Sequence, residues 1–190
     1  MSHPVATVYY ISSSTSIGTV LVASIGTQIY SIILGDSESD VLNDLRTYMA
    51  KHLSTAKPLK AKKGNQLLDE ALSLLKDYLN SPSKAIYKKM LQLPLYIEGT
   101  EFQKKVWQEL KKIPVGQTMS YTEIAESIGS PKAVRAVANA CANNRHGIVV
   151  PCHRVLRSDG GISGYRWGVE RKKQLIALEK NLKAFKESHN

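Results

Sequence analysis

The spacing of apolar residues switches from alternating to helical after the first third of this chain, and that switch limits its possible folds more than any other feature. In the first third, apolar and polar residues alternate in short runs, at Thr7 to Ile11, Thr19 to Ala23 and Ile29 to Leu34. Ser- and Gly-rich turns such as Ser12-Ser13-Ser14 separate them. Successive side chains of a strand point to opposite faces, so this pattern predicts a small antiparallel sheet. From Asp36 onward the spacing is helical. Asp36-Ser37-Glu38-Ser39 caps a helix carrying Val41, Leu42, Leu45 and Met49, and a second helix carries Leu67, Leu68, Ala71, Leu74, Leu75 and Tyr78. Ser54 to Gly64, with Pro58 and four lysines, reads as an exposed loop. Asn80 to Lys89 reads as a connection, and Leu91 to Ile97 as one more strand.

Three compact helices follow, each with its own start signal. Thr100-Glu101-Phe102-Gln103 has capping-box spacing and opens a helix with Phe102, Val106, Trp107 and Leu110 on one face, closed by Pro114 and Gly116. Ser120-Tyr121-Thr122-Glu123 repeats the logic for a short helix ending at Gly129. Ser130-Pro131 then supplies a cap and a proline at the first helical position, for a helix running through Ala133, Val134, Ala136, Val137, Ala138 and Ala140. A short helix, a tight turn and a small-residue helix make a helix-turn-helix pattern. The alanines leave room for close approach to a duplex backbone, and Arg135 projects from the first turns.

Charge agrees with a polyanionic partner for this half. Residues 1–99 hold 10 Lys+Arg against 8 Asp+Glu, whereas residues 100–190 hold 16 against 8, so most of the formal +10 lies in the second half. A run of 43% hydrophobic residues over 190 positions suffices for packed cores, and no stretch approaches the ~18 consecutive apolar residues of a membrane span. With no charged and apolar leader at the start, a cytoplasmic setting (nuclear in a eukaryote) is expected, where thiols stay reduced. The two cysteines, Cys141 and Cys152, do not make a metal-ligand cluster, so no metal site is expected.

About twenty residues beyond the start of the alanine-rich helix stands Pro151-Cys152-His153-Arg154, fed by Ile148-Val149-Val150. A thiol attacks as thiolate, and neighbouring cationic or imidazole groups lower its pKa from about 8.5. Cys152 and His153 are therefore candidates for nucleophile and base. Cys141, in the alanine-rich run, is assigned to packing.

From residue 100 onward several motifs occur in order: Gly99-Thr100-Glu101-Phe102-Gln103, Ser120-Tyr121, Pro131-Lys132-Ala133-Val134-Arg135-Ala136-Val137, Pro151-Cys152-His153-Arg154 and Ser163-Gly164-Tyr165-Arg166-Trp167-Gly168. In these the chain resembles the O6-alkylguanine-DNA alkyltransferases, in particular the C-terminal half of the bacterial Ada type, densely over residues 92–180. The resemblance implies a ribonuclease-H-like α/β domain at 1–90, a mostly helical winged helix-turn-helix domain carrying the active-site loop at 91–183, and a tail at 184–190. It implies direct-reversal repair without a cofactor: one alkyl group moves irreversibly from O6-alkylguanine, and O4-alkylthymine, in double-stranded DNA to Cys152 of a monomer.

The same resemblance implies a role for each matching residue. Arg135 fills the space left by an everted nucleotide, with Thr122, Ser130 and Ala136 also on the DNA side. Tyr121 turns the phosphate and protonates the departing base. His153 takes the thiol proton through a bridging water, Glu179 holds the imidazole tautomer, and Asn144 braces the turn that carries the thiol, or caps the preceding helix. Tyr165 flanks the base, the Arg166 N–H faces its oxygen, Trp167 belongs to the same wall, and the carbonyls of Cys152 and Val155 accept from its exocyclic amine.

The Ada type carries a further zinc-bound cysteine domain, and human-type relatives a structural zinc; these 190 residues hold no cysteines for either. A transcriptional activator role is therefore not expected. Relatives that only sense lesions replace the cysteine that is present here. The alternatives are a non-catalytic winged helix-turn-helix regulator with a structural Cys152, and a cysteine hydrolase.

Overall fold

The computed structural model describes residues 6–53 and 57–187, with side chains described to residue 181. Strands β1 (Val8–Thr15), β2 (Gly18–Ile25) and β3 (Gln28–Gly35) form an antiparallel meander, as their alternation predicts. Ser12, Ser13 and Ser14, read above as a turn, lie inside β1 opposite Leu21, Val20 and Thr19. The ladder bonds backbone groups only, and the apolar strand β2 draws even a serine run into register. A fourth strand, β4 (Leu59–Lys60), pairs parallel to β1 from within the expected loop, giving the order β3-β2-β1-β4. Residues 54–56 of that loop lie outside the described residues.

Helix α1 (Glu38–His52) starts at a capping box between Ser37 and Asp40, and α2 (Gln66–Asn80) is capped by Asn65. Their predicted stripes, Val41, Leu45 and Met49 on α1 and Leu68, Ala71, Leu75 and Tyr78 on α2, are buried. The expected connection at Asn80 to Lys89 instead contains α3 (Lys84–Met90), capped by Ser83 and burying Tyr87 and Met90. Two apolar residues on one face give too little periodic signal to reveal so short a helix. The expected strand Leu91 to Ile97 does not form. Pro94 has no N–H to donate, and the segment makes one isolated bridge, with Ile29 donating to the Pro94 carbonyl (2.7 Å) and Tyr96 to that of Ile29 (2.8 Å).

The second half holds α4 (Glu101–Leu110), β5 (Met119–Ser120), α5 (Tyr121–Ser127), α6 (Val134–Ala142), a 3-10 turn at Cys152–Arg154, β6 (Val155–Leu156) and α7 (Val169–Glu187). β5 and β6 pair in parallel. The capping boxes at Thr100/Gln103 and Ser120/Glu123 both form. Ser130 does not cap α6. Its carbonyl accepts from the Ala133 N–H (2.8 Å) across a turn containing Pro131, and the helix begins three residues later than expected, after Ala133 with no side-chain cap. Of the expected tail, residues 184–187 continue α7 and residues 188–190 lie outside the described residues.

The outer edge of β3 is closed by the second half of the chain: Ile32 N–H donates to the Arg145 carbonyl (2.8 Å) and Gly147 N–H to that of Ile32 (3.0 Å). An edge strand thus finds its partner within the molecule, and the same contact carries the loop of Cys152 against the sheet. Among the described residues, no helix is long and apolar enough to cross a membrane.

Candidate active site around Cys152

The approach to the thiol begins where α6 ends. Asn143 is the C-cap, so Asn144 is not the cap considered above and its side chain is free for other work. Asn144 Nδ2 donates to the Val150 carbonyl (2.9 Å) and to Cys152 Sγ (3.2 Å), while its Oδ1 accepts the His146 N–H (2.8 Å). One buried amide therefore ties together the turn and the sulfur. His146 is held near pKa 4 by burial, hence neutral, and its Nε2 lies 3.1 Å from the Ile29 carbonyl. Ile148, fully buried, sits at φ 69°, a left-handed conformation that costs a β-branched residue on the order of 1–3 kcal/mol. The packing of the loop against β3 holds it there.

Cys152 is 3% exposed, on the wall of a cavity of about 340 Å³ lined by Tyr121, Ala138, Cys141, Ala142, Ser163, Gly164, Tyr165 and Arg166. Burial pushes its thiol up to about pKa 11, against the opposing pull of the Asn144 hydrogen bond and the Lys172 charge. The expected depression by neighbouring cationic or imidazole groups is not realised: burial outweighs Lys172 and Arg166, and His153 does not contribute. The resting sulfur is a thiol, so any attack by it requires a base to take that proton. Cys141, read as packing alone, also lines this cavity, and burial raises its thiol further.

Behind the sulfur lies a sealed ionic cluster. His153 Nε2 is 2.8 Å from Glu179 Oε1; a carboxylate only accepts, so Nε2 carries the proton and Nδ1 is the basic nitrogen. Arg154 donates through Nε to Glu179 Oε2 (2.9 Å) and through Nη2 to Oε1 (3.0 Å), and Tyr78 of α2 donates to Oε1 (2.7 Å). Arg154 Nη1 reaches the Ile113 carbonyl (2.7 Å), and its guanidinium lies over the Tyr87 ring at 4.2 Å. Burial alone would raise the Glu179 carboxyl, but His153 and Arg154 hold it well below the usual carboxylate range. Burial lowers His153 despite that carboxylate, so the ring is neutral and able to accept a proton.

The remaining expected residues fall in three places. Tyr165 and Arg166 line the cavity; Arg166 is fastened by the Ala142 carbonyl (3.1 Å) and by Asp44 of α1 (3.3 Å), which also takes Arg145 (2.8 Å). Trp167 lies outside the lining, buried behind Tyr165 in an edge-on pair at 5.4 Å. Val155 is fully buried in β6, and its N–H donates to the Cys152 carbonyl, leaving that oxygen one further lone pair. Arg135 and Ala136 are exposed on α6, with Thr122 and Ser130 half-buried nearby in the chain. Sequence reasoning missed Tyr78, Arg154, Ser163 and Lys172 as parts of this site. Tyr78 was already spent on a core stripe, and Lys172 sits in the run Arg171-Lys172-Lys173, which reads as a solvated face.

The family model described as 6-O-methylguanine DNA methyltransferase, DNA binding domain, matches residues 101–181. The chain is 42% identical over 172 residues to the bifunctional transcriptional activator/DNA repair enzyme Ada of Escherichia coli, covering 90% of this chain and 45% of that protein. The chain spans about half the length of the curated relatives it matches. It is similar to the crystal structure of Mycobacterium tuberculosis O6-methylguanine methyltransferase, with TM-score 0.71, 31% identity and coverage of 94% of this chain and 99% of that one. A crystal structure of the M. tuberculosis protein OGT in complex with DNA matches at TM-score 0.71 and 31% identity, over 91% and 93% of the two chains.

Proposed function

The chain belongs to the O6-methylguanine DNA methyltransferase family, and we propose that it repairs double-stranded DNA by moving one alkyl group irreversibly from the O6 of guanine to Cys152. The observation that carries this reading is the Cys152 sulfur on a cavity wall, held by Asn144 at 3.2 Å and backed by the His153–Glu179 pair at 2.8 Å. Residues 1–90 are read as a ribonuclease-H-like domain, and 91–183 as a winged helix-turn-helix domain with the β5–β6 pair beside α5 and α6.

The target carbon is hidden in a base stack, so the nucleotide swings out at a cost of a few kcal/mol, with Arg135 on exposed α6 filling the gap. Thr122, Ser130 and Ala136 lie along the duplex. Tyr165 flanks the base, the Arg166 N–H faces O6, and the carbonyls of Cys152 and Val155 accept from the exocyclic amine, with Trp167 supporting the wall from behind. His153 Nδ1 takes the thiol proton through one water, Glu179 stabilises the imidazolium, and the sulfur displaces the base in line. Tyr121 protonates that base as it leaves. The thioether cannot be hydrolysed by this machinery, so each molecule acts once.

Incubation with duplex DNA carrying radiolabelled O6-methylguanine tests the reading. Label is expected on the protein one-to-one, on the Cys152 peptide, and absent from Cys152→Ala. DNA binding without transfer would favour a non-catalytic regulator, and label on Cys152→Ala would identify another acceptor.

A further inference from the structure

Lys172, in the first turn of α7, is wholly buried, and its ammonium donates to Ser163 Oγ at 3.1 Å. The ammonium also lies 5.8 Å from the centre of the Tyr121 ring. Ser163 Oγ is in turn 2.6 Å from the Tyr121 hydroxyl. A lysine ammonium can only donate, whereas a serine hydroxyl accepts on its lone pairs and donates its single hydrogen. Ser163 therefore accepts from Lys172 and keeps its own hydrogen, which the cation makes more acidic and which it can donate to its other neighbour, the Tyr121 oxygen. With the bond in that direction the Tyr121 hydrogen is free to point into the cavity that Tyr121 and Ser163 line together with Cys152.

Resting on the alkyl-transfer reading, we propose that Ser163 is a positioning residue: it fixes the Tyr121 phenol as a donor toward the cavity and steadies the phenolate formed when that proton is given to the departing base. As the bond from sulfur to carbon forms, the bond from carbon to O6 breaks and its electron pair stays on the base. The base takes the Tyr121 proton, and the thiol proton ends on His153. Neutral guanine, a thioether, an imidazolium and a phenolate result, the last held by the Ser163 hydroxyl with the Lys172 ammonium behind it. Burial raises the Tyr121 pKa and the Ser163 bond pulls it back, the direction required of a group that must release its proton.

The test is single-turnover transfer from two duplexes, one with O6-methylguanine and one with O6-methyl-8-azaguanine, whose extra ring nitrogen makes a weaker base of the same size. Ser163→Ala is expected to slow transfer from O6-methylguanine about 10- to 100-fold and from the 8-aza substrate by less than about 3-fold. Duplex affinity should not change, and Ser163→Thr should restore the rate. An equal loss on both substrates, no loss on either, or no recovery with threonine would overturn the role of Ser163. If the wild-type protein transfers no label to Cys152, the alkyl-transfer reading itself falls.

Discussion

The two sides of the Cys152 sulfur are built on opposite physical terms. Behind it, Glu179, His153 and Arg154 are at most 2% exposed and joined by hydrogen bonds of 2.8–3.0 Å. In front, the cavity wall includes Ala138, Ala142 and Gly164, and beyond it α6 presents Arg135 and Ala136 to solvent. The charges of Glu179 and Arg154 are kept where water does not screen them, since Coulomb energies grow as the local dielectric falls. On the cavity side, small groups stand between the larger Tyr121, Tyr165 and Arg166 and leave room for a ligand. A substitution behind the sulfur should therefore act first on folding, and one in front first on the encounter with substrate.

The largest expected effect breaks the rear side. Glu179→Gln keeps the shape but leaves the Arg154 guanidinium buried without its counterion, which costs about 3–5 kcal/mol in denaturant unfolding. A loss under about 1 kcal/mol would mean that water screens the cluster and that the two sides do not differ. The wild-type protein carries a pH signature of the same charge. Because the Glu179 carboxyl is depressed in the fold, its contribution is full above the ordinary value of about 4.3. It is lost progressively as pH falls below that value toward the folded pKa, and Glu179→Gln should lack this slope.

On the front side, Arg135→Ala should leave the unfolding midpoint unchanged and slow repair of duplex DNA by about 10-fold or more, ~1.4 kcal/mol. Reaction with free O6-benzylguanine should be spared, because only the duplex requires extrusion. Equal losses on both substrates would remove Arg135 from that role. The smallest contrast lies between two serines that look alike in sequence. Ser120→Ala removes a formed capping box and should cost about 1 kcal/mol, whereas Ser130→Ala, which caps nothing, should stay within about 0.5 kcal/mol. Comparable losses in thermal unfolding would put a cap at Ser130 after all.

Much of the front side was legible in the chain itself. The starts of α4 and α5 follow from Thr100/Gln103 and Ser120/Glu123, local pairs whose geometry depends only on residues three apart. The end of α5 at Gly129, φ 73°, follows from the one residue that takes this conformation freely. Ser130 misled because a serine before a proline suits a turn as well as a cap. The rear side was only half legible. Cys152 and His153 stood out by their types and Glu179 only through the family resemblance, but Tyr78 comes from α2, 101 positions from Glu179, and no local pattern marks such a partner.

Periodicity, caps and residue chemistry are properties of neighbours along the chain, so the sequence alone determined the meander, the starts of α4 and α5, and the choice of Cys152 with its neighbouring imidazole as candidate nucleophile and base. The charge state of that nucleophile, the burial of Lys172 and the convergence of Tyr78, Arg154 and Glu179 were decided only when distant segments packed. Desolvation and field depend on everything that surrounds an atom in space, and that is set by the tertiary fold.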